Sequence, residues 1–175
     1  MNIQQTKGVY FTVRENDHPH NLAELLLDLG YMKVDEDDKM GLNLQDFDKS
    51  SLYSNDQFET IPGMLEDLLH PRLLELERKY FPNFFNSVEE VKKTRIESEK
   101  LNKKLGIENI HFITYDIQNN TPVALGSLQR NVELPKIAYL AGALTDENYR
   151  KKGIYTNLLY KRINWAKQNG IQYLI

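Results

Sequence analysis

Tyr139-Leu-Ala-Gly-Ala-Leu-Thr-Asp-Glu-Asn-Tyr-Arg-Lys-Lys-Gly-Ile-Tyr-Thr156 decides the fold. It begins in an apolar stretch, Lys136 to Thr145, that reads as a strand. A polar, basic loop follows from Asp146 to Lys152 and reaches Gly153. The pattern then turns helical from about Ile154 to Gln168, with Leu159, Ile163 and Ala166 on one face and Leu158 beside them. Asn169-Gly170 ends that helix, and Ile171 to Ile175 starts another strand. The first backbone N–H groups of such a helix have no partner within it, and the helix dipole adds positive charge there. A diphosphate fits that position. Gly153 lets the backbone approach it without a Cβ, Arg150, Lys151 and Lys152 supply charge, and Thr156 offers a hydroxyl.

Moving outward towards the N-terminus, His111 to Ile117 and Val123 to Leu128 read as strands joined at Asn119-Asn120. Leu134-Pro135 marks the next turn. Before them, Ser87 with Glu90 forms a capping-box pattern that opens a helix running to about Leu105, with Gly106 as its stop. Helical signal also covers Met64 to Leu69 and Arg72 to Tyr80, where Pro71 either starts a new helix or kinks a long one. Residues 48–60 are polar and read as a connection. Val9 to Val13, Asn21 to Leu29 and Met40 to Leu44 form a strand–helix–strand pattern.

The order helix, hairpin, third strand, basic loop, helix, strand resembles the GNAT superfamily of acyl-coenzyme A-dependent N-acetyltransferases. Their signature Arg/Gln-x-x-Gly-x-Gly/Ala is matched by Arg150-Lys151-Lys152-Gly153-Ile154-Tyr155, and Leu144-Thr145-Asp146 and Ala166 to Gly170 also resemble the family pattern. The likeness spans about Ser87 to Ile175. It implies an α+β fold, a mixed and mostly antiparallel sheet flanked by helices. It also implies acetyl-CoA as co-substrate, held by Leu144, Thr145, Arg150, Lys151, Lys152, Gly153, Ile154, Tyr155 and Thr156, without a metal. Tyr155 departs from the pattern, and its ring must turn away from the phosphates or stack near the ligand. The family fold continues past its fifth strand into a helix, often bearing a thiolate-protonating tyrosine, and two strands. Ile171 to Ile175 falls at that fifth strand, so the domain is expected at 49–175, cut short there, and no such tyrosine is assigned. Residues 1–48 resemble the closing third of the same fold. We read them as an extension; the alternative is that they supply the missing strands, in cis or from a second chain.

Composition narrows the function classes. The chain has 175 residues, 41% hydrophobic and 27% charged, with no cysteine, so disulfides and thiolate chemistry are excluded. No apolar run reaches the roughly 20 residues of a membrane span, and no secretory signal opens the chain, so a cytoplasmic protein is expected. Residues 1–100 carry 12 Lys+Arg against 20 Asp+Glu, whereas residues 101–175 carry 10 against 5. Positive charge in the second half favours a small anionic ligand, and the acidic whole disfavours nucleic acid.

The chemistry implied by the resemblance is direct attack of a small-molecule or peptide amine on the thioester. Backbone N–H groups around Ala143 to Thr145 would serve the cofactor and the developing oxyanion. Glu133, Asp146 and Glu147 are the carboxylates considered as base, each more readily a solvated turn residue. His111 reads as a half-buried strand residue, His70 as part of a helix junction and Trp165 as a packing anchor. Asp17, His18 and His20 lack the fourth partner of a metal site. Tyr80-Phe-Pro-Asn-Phe-Phe85 either lines an acceptor pocket or anchors a loop. The alternative function is a non-catalytic module that binds CoA or a protein partner, with an exposed edge at 171–175 forming a homodimer.

Overall fold

Among the described residues of the computed structural model are 56–175, Asn21, Glu24, Leu25, Asp28, 42–45 and Phe47. The backbone divides into two units, Met1–Lys39 and Met40–Ile175. In the first, Glu24, Leu25 and Asp28 are helical and the Leu25 N–H donates to the Asn21 carbonyl, within the helix expected at 21–29. The strand expected at Val9 to Val13 lies outside the described residues.

The second unit is built on one six-stranded sheet. Its strands are β1 (Leu42–Asn43), β2 (Phe58–Gly63), β3 (Ile107–Asp116), β4 (Thr121–Asn131), β5 (Ile137–Thr145) and β6 (Tyr173–Leu174), in the order β1-β6-β5-β4-β3-β2. All neighbours are antiparallel except β5 and β6. The helices are α1 (Leu65–Leu68), α2 (Pro71–Tyr80), α3 (Val88–Lys104) and α4 (Ile154–Gln168). This is the expected α+β class.

Local chemistry accounts for most boundaries. Pro71 is the first residue of α2, and the preceding His70 caps it by accepting the Arg72 N–H at its Nδ1, 3.1 Å away. The proline thus starts a helix. Ser87 Oγ accepts the Glu90 N–H at 3.1 Å to open α3, while the Glu90 carboxylate takes the Asn86 N–H. Asn120 has φ 47°, as the turn between β3 and β4 requires.

β2 corrects the sequence reading, which left residues 48–60 as a connection. Phe58 and Thr60 alternate inward, and all six residues pair with β3 from Phe58↔Asp116 to Gly63↔His111. Pro62 and Gly63 obscure the strand in sequence, yet β2 is a sheet edge, where a missing N–H costs little. β1 corrects a second expectation. Leu42 pairs with Leu174 and Asn43 with Tyr173, and the Leu44 N–H donates to the Gln172 carbonyl. The edge expected to stand open at 171–175 is therefore covered in cis. This pairing ties Leu42–Leu44 to the sheet, within the unit that starts at Met40.

Two cores sandwich the sheet. On one face Ile154, Leu158, Ile163 and Ala166 of α4 pack with Phe112, Val123 and Leu128. Leu158 is fully buried there, while Leu159 is only partly so. Trp165 meets Phe112 edge-on, 6.3 Å between ring centroids, as a packing anchor does. On the other face Leu68, Leu73 and Leu76 of α1 and α2 cover Ile113 and Leu125. Because α4 carries the basic loop at its start, its seating fixes the site. Leu158→Ala should destabilise the unit by about 2–5 kcal/mol, read as a lower urea midpoint at unchanged slope.

Candidate functional site

The loop between β5 and α4 begins with Asp146, whose side chain is 1% exposed and paired with Arg72 of α2. Its Oδ1 accepts the Asn148 N–H at 3.1 Å and so caps a 3-10 turn, Glu147–Tyr149. Glu147 meets Lys79, and its N–H donates to the Tyr80 hydroxyl at 2.8 Å. These contacts fasten the loop to α2. The backbone then passes through Lys151 at φ 62° and Gly153 at φ 75°. A non-glycine residue held in the left-handed region costs on the order of 1–2 kcal/mol, and such strain concentrates at functional sites. Here it turns the chain so that Gly153 caps α4 without any side-chain hydrogen bond, and the first turn holds no acidic residue.

Around this junction lies a cleft of about 510 Å³. Leu144, Thr145, Arg150, Lys151, Gly153, Ile154, Tyr155 and Thr156 line it, together with Ala143, Tyr149, Tyr80 and Phe81. Eight of the nine residues expected at a cofactor site thus share one wall. Lys152 is the departure: its ammonium lies 4.9 Å from the Tyr149 ring centroid, and it does not line the cleft. Arg150 rests over the Tyr80 ring at 5.1 Å, with its Nε donating to the Thr145 carbonyl at 3.4 Å. Tyr155 is 55% exposed and forms part of the wall without filling the space. Asn157, one turn into α4, donates to Thr60, which shares a 2.8 Å hydrogen bond with Thr114. That buried chain moors the start of α4 to β2 and β3.

A second cleft, about 280 Å³, opens between α2, α3 and the strands β3, β4 and β5. It shares Phe81, Ala143 and Leu144 with the first. The meeting point is where pairing turns irregular: Gly126 faces Ala143, but Ser127 faces Ala141, so Gly142 is the extra residue on β5. Gly142 has φ 26°. Arg162 of α4, only 2% exposed, reaches this point and donates from Nη1 to the carbonyls of Ser127 at 3.2 Å and Ala141 at 3.4 Å. Burial pushes its guanidinium below the ordinary arginine range, opposed by the neighbouring Tyr155 hydroxyl.

The carboxylates considered as base line neither cleft. Asp146 is committed to Arg72, and Glu147 to Lys79. Glu133 lies in the turn between β4 and β5, beyond the opposite end of β5 from Thr145. His111 is the half-buried strand residue expected, on β3, and it also lines the second cleft with Glu99, Asn109 and Ser127. Of the aromatic run, Tyr80 and Phe81 line the first cleft and Phe81 and Phe85 the second. Sequence reading missed Glu99, Ser127 and Arg162. Arg162 alone carried a signal, a cation midway between Leu158 and Ala166 on a buried helical stripe.

Comparison with known proteins identifies the family and the fold. The acetyltransferase (GNAT) family matches residues 70–175, and the chain belongs to that family. A tandem GNAT protein from the clavulanic acid biosynthesis pathway aligns with TM-score 0.60 at 11% identity, over 77% of this chain and 42% of that one. A putative acetyl transferase from Pyrococcus furiosus aligns with TM-score 0.50 at 21% identity, over 67% of this chain and 80% of that one. Glucosamine-6-phosphate N-acetyltransferase from Arabidopsis thaliana gives 0.50 at 14% identity, with 67% and 80% covered. At these identities the likeness shows the fold. This chain spans less than half the tandem protein. No curated protein matches the sequence.

Two predictions follow from the site's charges. Asp146→Ala strands the Arg72 guanidinium and uncaps the 3-10 turn, and should cost about 2–3 kcal/mol in urea unfolding. His111 is held below its ordinary value chiefly by burial, with Glu99 pulling the other way. The folded chain therefore binds fewer protons than the unfolded one across that range. Stability should be full above pH of about 6.5 and fall as pH drops towards the folded-state value. His111→Gln should flatten this limb in urea titrations at stepped pH.

Proposed function

We propose that the chain transfers an acetyl group from acetyl-CoA, held in the first cleft, to an amine that enters through the second. The observation that carries this reading is the shared wall: Ala143, Leu144 and Phe81 belong to both clefts. Two reactants brought to one wall from opposite sides meet without diffusing together, which lowers the entropic part of the barrier.

The residues present fit coenzyme A. Its diphosphate needs unpartnered N–H groups and positive charge. Ile154, Tyr155 and Thr156 begin an uncapped, acid-free helix turn, with Arg150 and Lys151 on the same wall. Its extended arm needs a strand edge. From Ala141 to Thr145, β5 has no strand on the side away from β4 among the described residues. Bound acetyl-CoA supplies a thioester carbonyl that the amine attacks and a thiolate that leaves. Gly142 and Arg162 keep β5 bent at the wall where the acetyl group is delivered, and Tyr80 and Phe81 close the cleft from the α2 side. The acceptor is an amine, small or peptidic, and the cytoplasm is the compartment that fits a cysteine-free, CoA-using chain.

Acetyl-CoA at a hundredfold excess over its Kd should stabilise the folded chain by about 2.7 kcal/mol, or roughly 5–10 °C in Tm. Arg150→Glu and Gly153→Val should each remove that shift. An unchanged Tm at millimolar acetyl-CoA would overturn the reading.

A further inference from the structure

The second cleft contains a connected row of polar groups that no cofactor contact requires. His111 Nδ1 lies 2.8 Å from Ser127 Oγ, and its Nε2 lies 3.0 Å from Glu99 Oε1. Asn109 Nδ2 donates to the same carboxylate oxygen at 2.9 Å. The row spans three elements. Glu99 projects from α3, Asn109 and His111 lie two apart on β3 and share a face, and Ser127 is the register partner of His111 on β4. All four line the cleft. The neutral ring has one donor and one acceptor nitrogen. An ionised Glu99 only accepts, so Nε2 carries the proton, and Nδ1 is left to accept from the Ser127 hydroxyl.

Resting on the acetyl-transfer reading above, we propose that His111 is the base that takes the attacking amine's proton, relayed by the Ser127 hydroxyl, with Glu99 as the positioning residue. As the amine nitrogen bonds to the acetyl carbon, its proton passes to Ser127 Oγ. The Ser127 proton passes in turn to His111 Nδ1. The imidazolium so formed is stabilised by the Glu99 carboxylate, and the electron pair leaves with the CoA thiolate. Asn109, which shares the Glu99 carboxylate oxygen with the ring, keeps its own Oδ1 buried and without a partner among the described residues. Arg162 holds the Ser127 carbonyl and so fixes where the hydroxyl sits.

The charged groups facing His111 are Glu99 and Arg95 from α3 and Glu77 from α2; its strand neighbours Gly63 and Ser127 bring none. Arg95 is engaged with Glu77, 2.6 Å between Nη2 and Oε1. Burial keeps the ring neutral near neutral pH, the state a base needs.

The test uses the full chain with acetyl-CoA as donor and phenethylamine as acceptor, a probe chosen for the aromatic walls at Phe81 and Phe85 and the nearby carboxylates. Free thiol release is followed from pH 5.5 to 9. The expected result is a fall in kcat of about 100-fold or more in His111→Gln, with loss of the acidic limb of the pH profile. Glu99→Gln should lower kcat and shift that limb, leaving KM for acetyl-CoA unchanged. Both variants should keep the acetyl-CoA thermal shift, which separates failure of this proposal from failure of the transfer reading. Nitrogen-15 NMR of the histidine rings, assigned by loss of one set in His111→Gln, should show His111 neutral with its proton on Nε2 at pH 7.5. A rate within threefold of the parent chain, or a proton on Nδ1 in that spectrum, would overturn the proposal. Should the parent chain leave phenethylamine untouched, the tautomer decides.

Discussion

One guanidinium holds the sheet at the point where it departs from regular pairing. A bulge on β5 frees carbonyls that a regular ladder would have used, and buried carbonyls left unpaired cost on the order of 1–3 kcal/mol each. Arg162 reaches from α4 to those of Ser127 and Ala141. Gly126 makes room for it: a Cβ there would stand 3.2 Å from the guanidinium carbon and 3.1 Å from Leu158. The bulge, the glycine and the arginine form one device, and each makes sense only with the others. Its product is the shared wall at Ala143 and Leu144, from which both clefts open.

The same device sets the electrostatics. A buried cation is tolerated only where acceptors meet it, and Arg162 finds carbonyls and a phenol, with no acidic partner among the described residues. Positive charge is thus delivered beneath the sheet without a neutralising carboxylate among the described residues. Around it, acidic side chains are consumed locally: Asp146 by Arg72, Glu147 by Lys79, Glu77 by Arg95. The first two of these pairs also bind α2 to the loop that carries Arg150 and Lys151. The excess of Lys and Arg over residues 101–175 is therefore not spread evenly. At the start of α4 it meets an uncapped helix end with no acid in its first turn.

Local signals were legible because the residues that carry them act within a few positions. Gly153, Pro71, Ser87 and Asn120 each shape the backbone next to themselves, and the boundaries they set fall where the sequence placed them, although β3 and β4 extend beyond the expected 111–117 and 123–128. β2 escaped because Phe58-Glu-Thr-Ile-Pro-Gly63 reads as a breaker until its position at the sheet edge is known. The first cleft was legible for a similar reason: its wall is nearly continuous from Ala143 to Thr156. The second was not. Glu99, His111 and Ser127 lie 12 and 16 positions apart in the chain, and only the α3–β3 packing and the β3–β4 register bring them together. Glu133, Asp146 and Glu147 are weighed as bases only for their nearness to the motif in sequence, each being more readily a turn residue, and none of them lines either cleft.

β1 shows how little pairing is needed to recruit a segment to a sheet. Two residues align with β6, and one further backbone hydrogen bond extends the match to Leu44. Alone this would be marginal. Leu44, however, is 2% exposed and joins the core beneath α4, a burial worth about 1.5–3 kcal/mol. Phe47 then meets Tyr160 at 6.1 Å, and its carbonyl accepts from Lys167 at 2.7 Å. Hydrophobic burial does most of the work, and the strand pairing sets its register. A one-residue slip of β1 would turn Leu44 away from that core, so the register is fixed by the side chain and not by the two ladder positions.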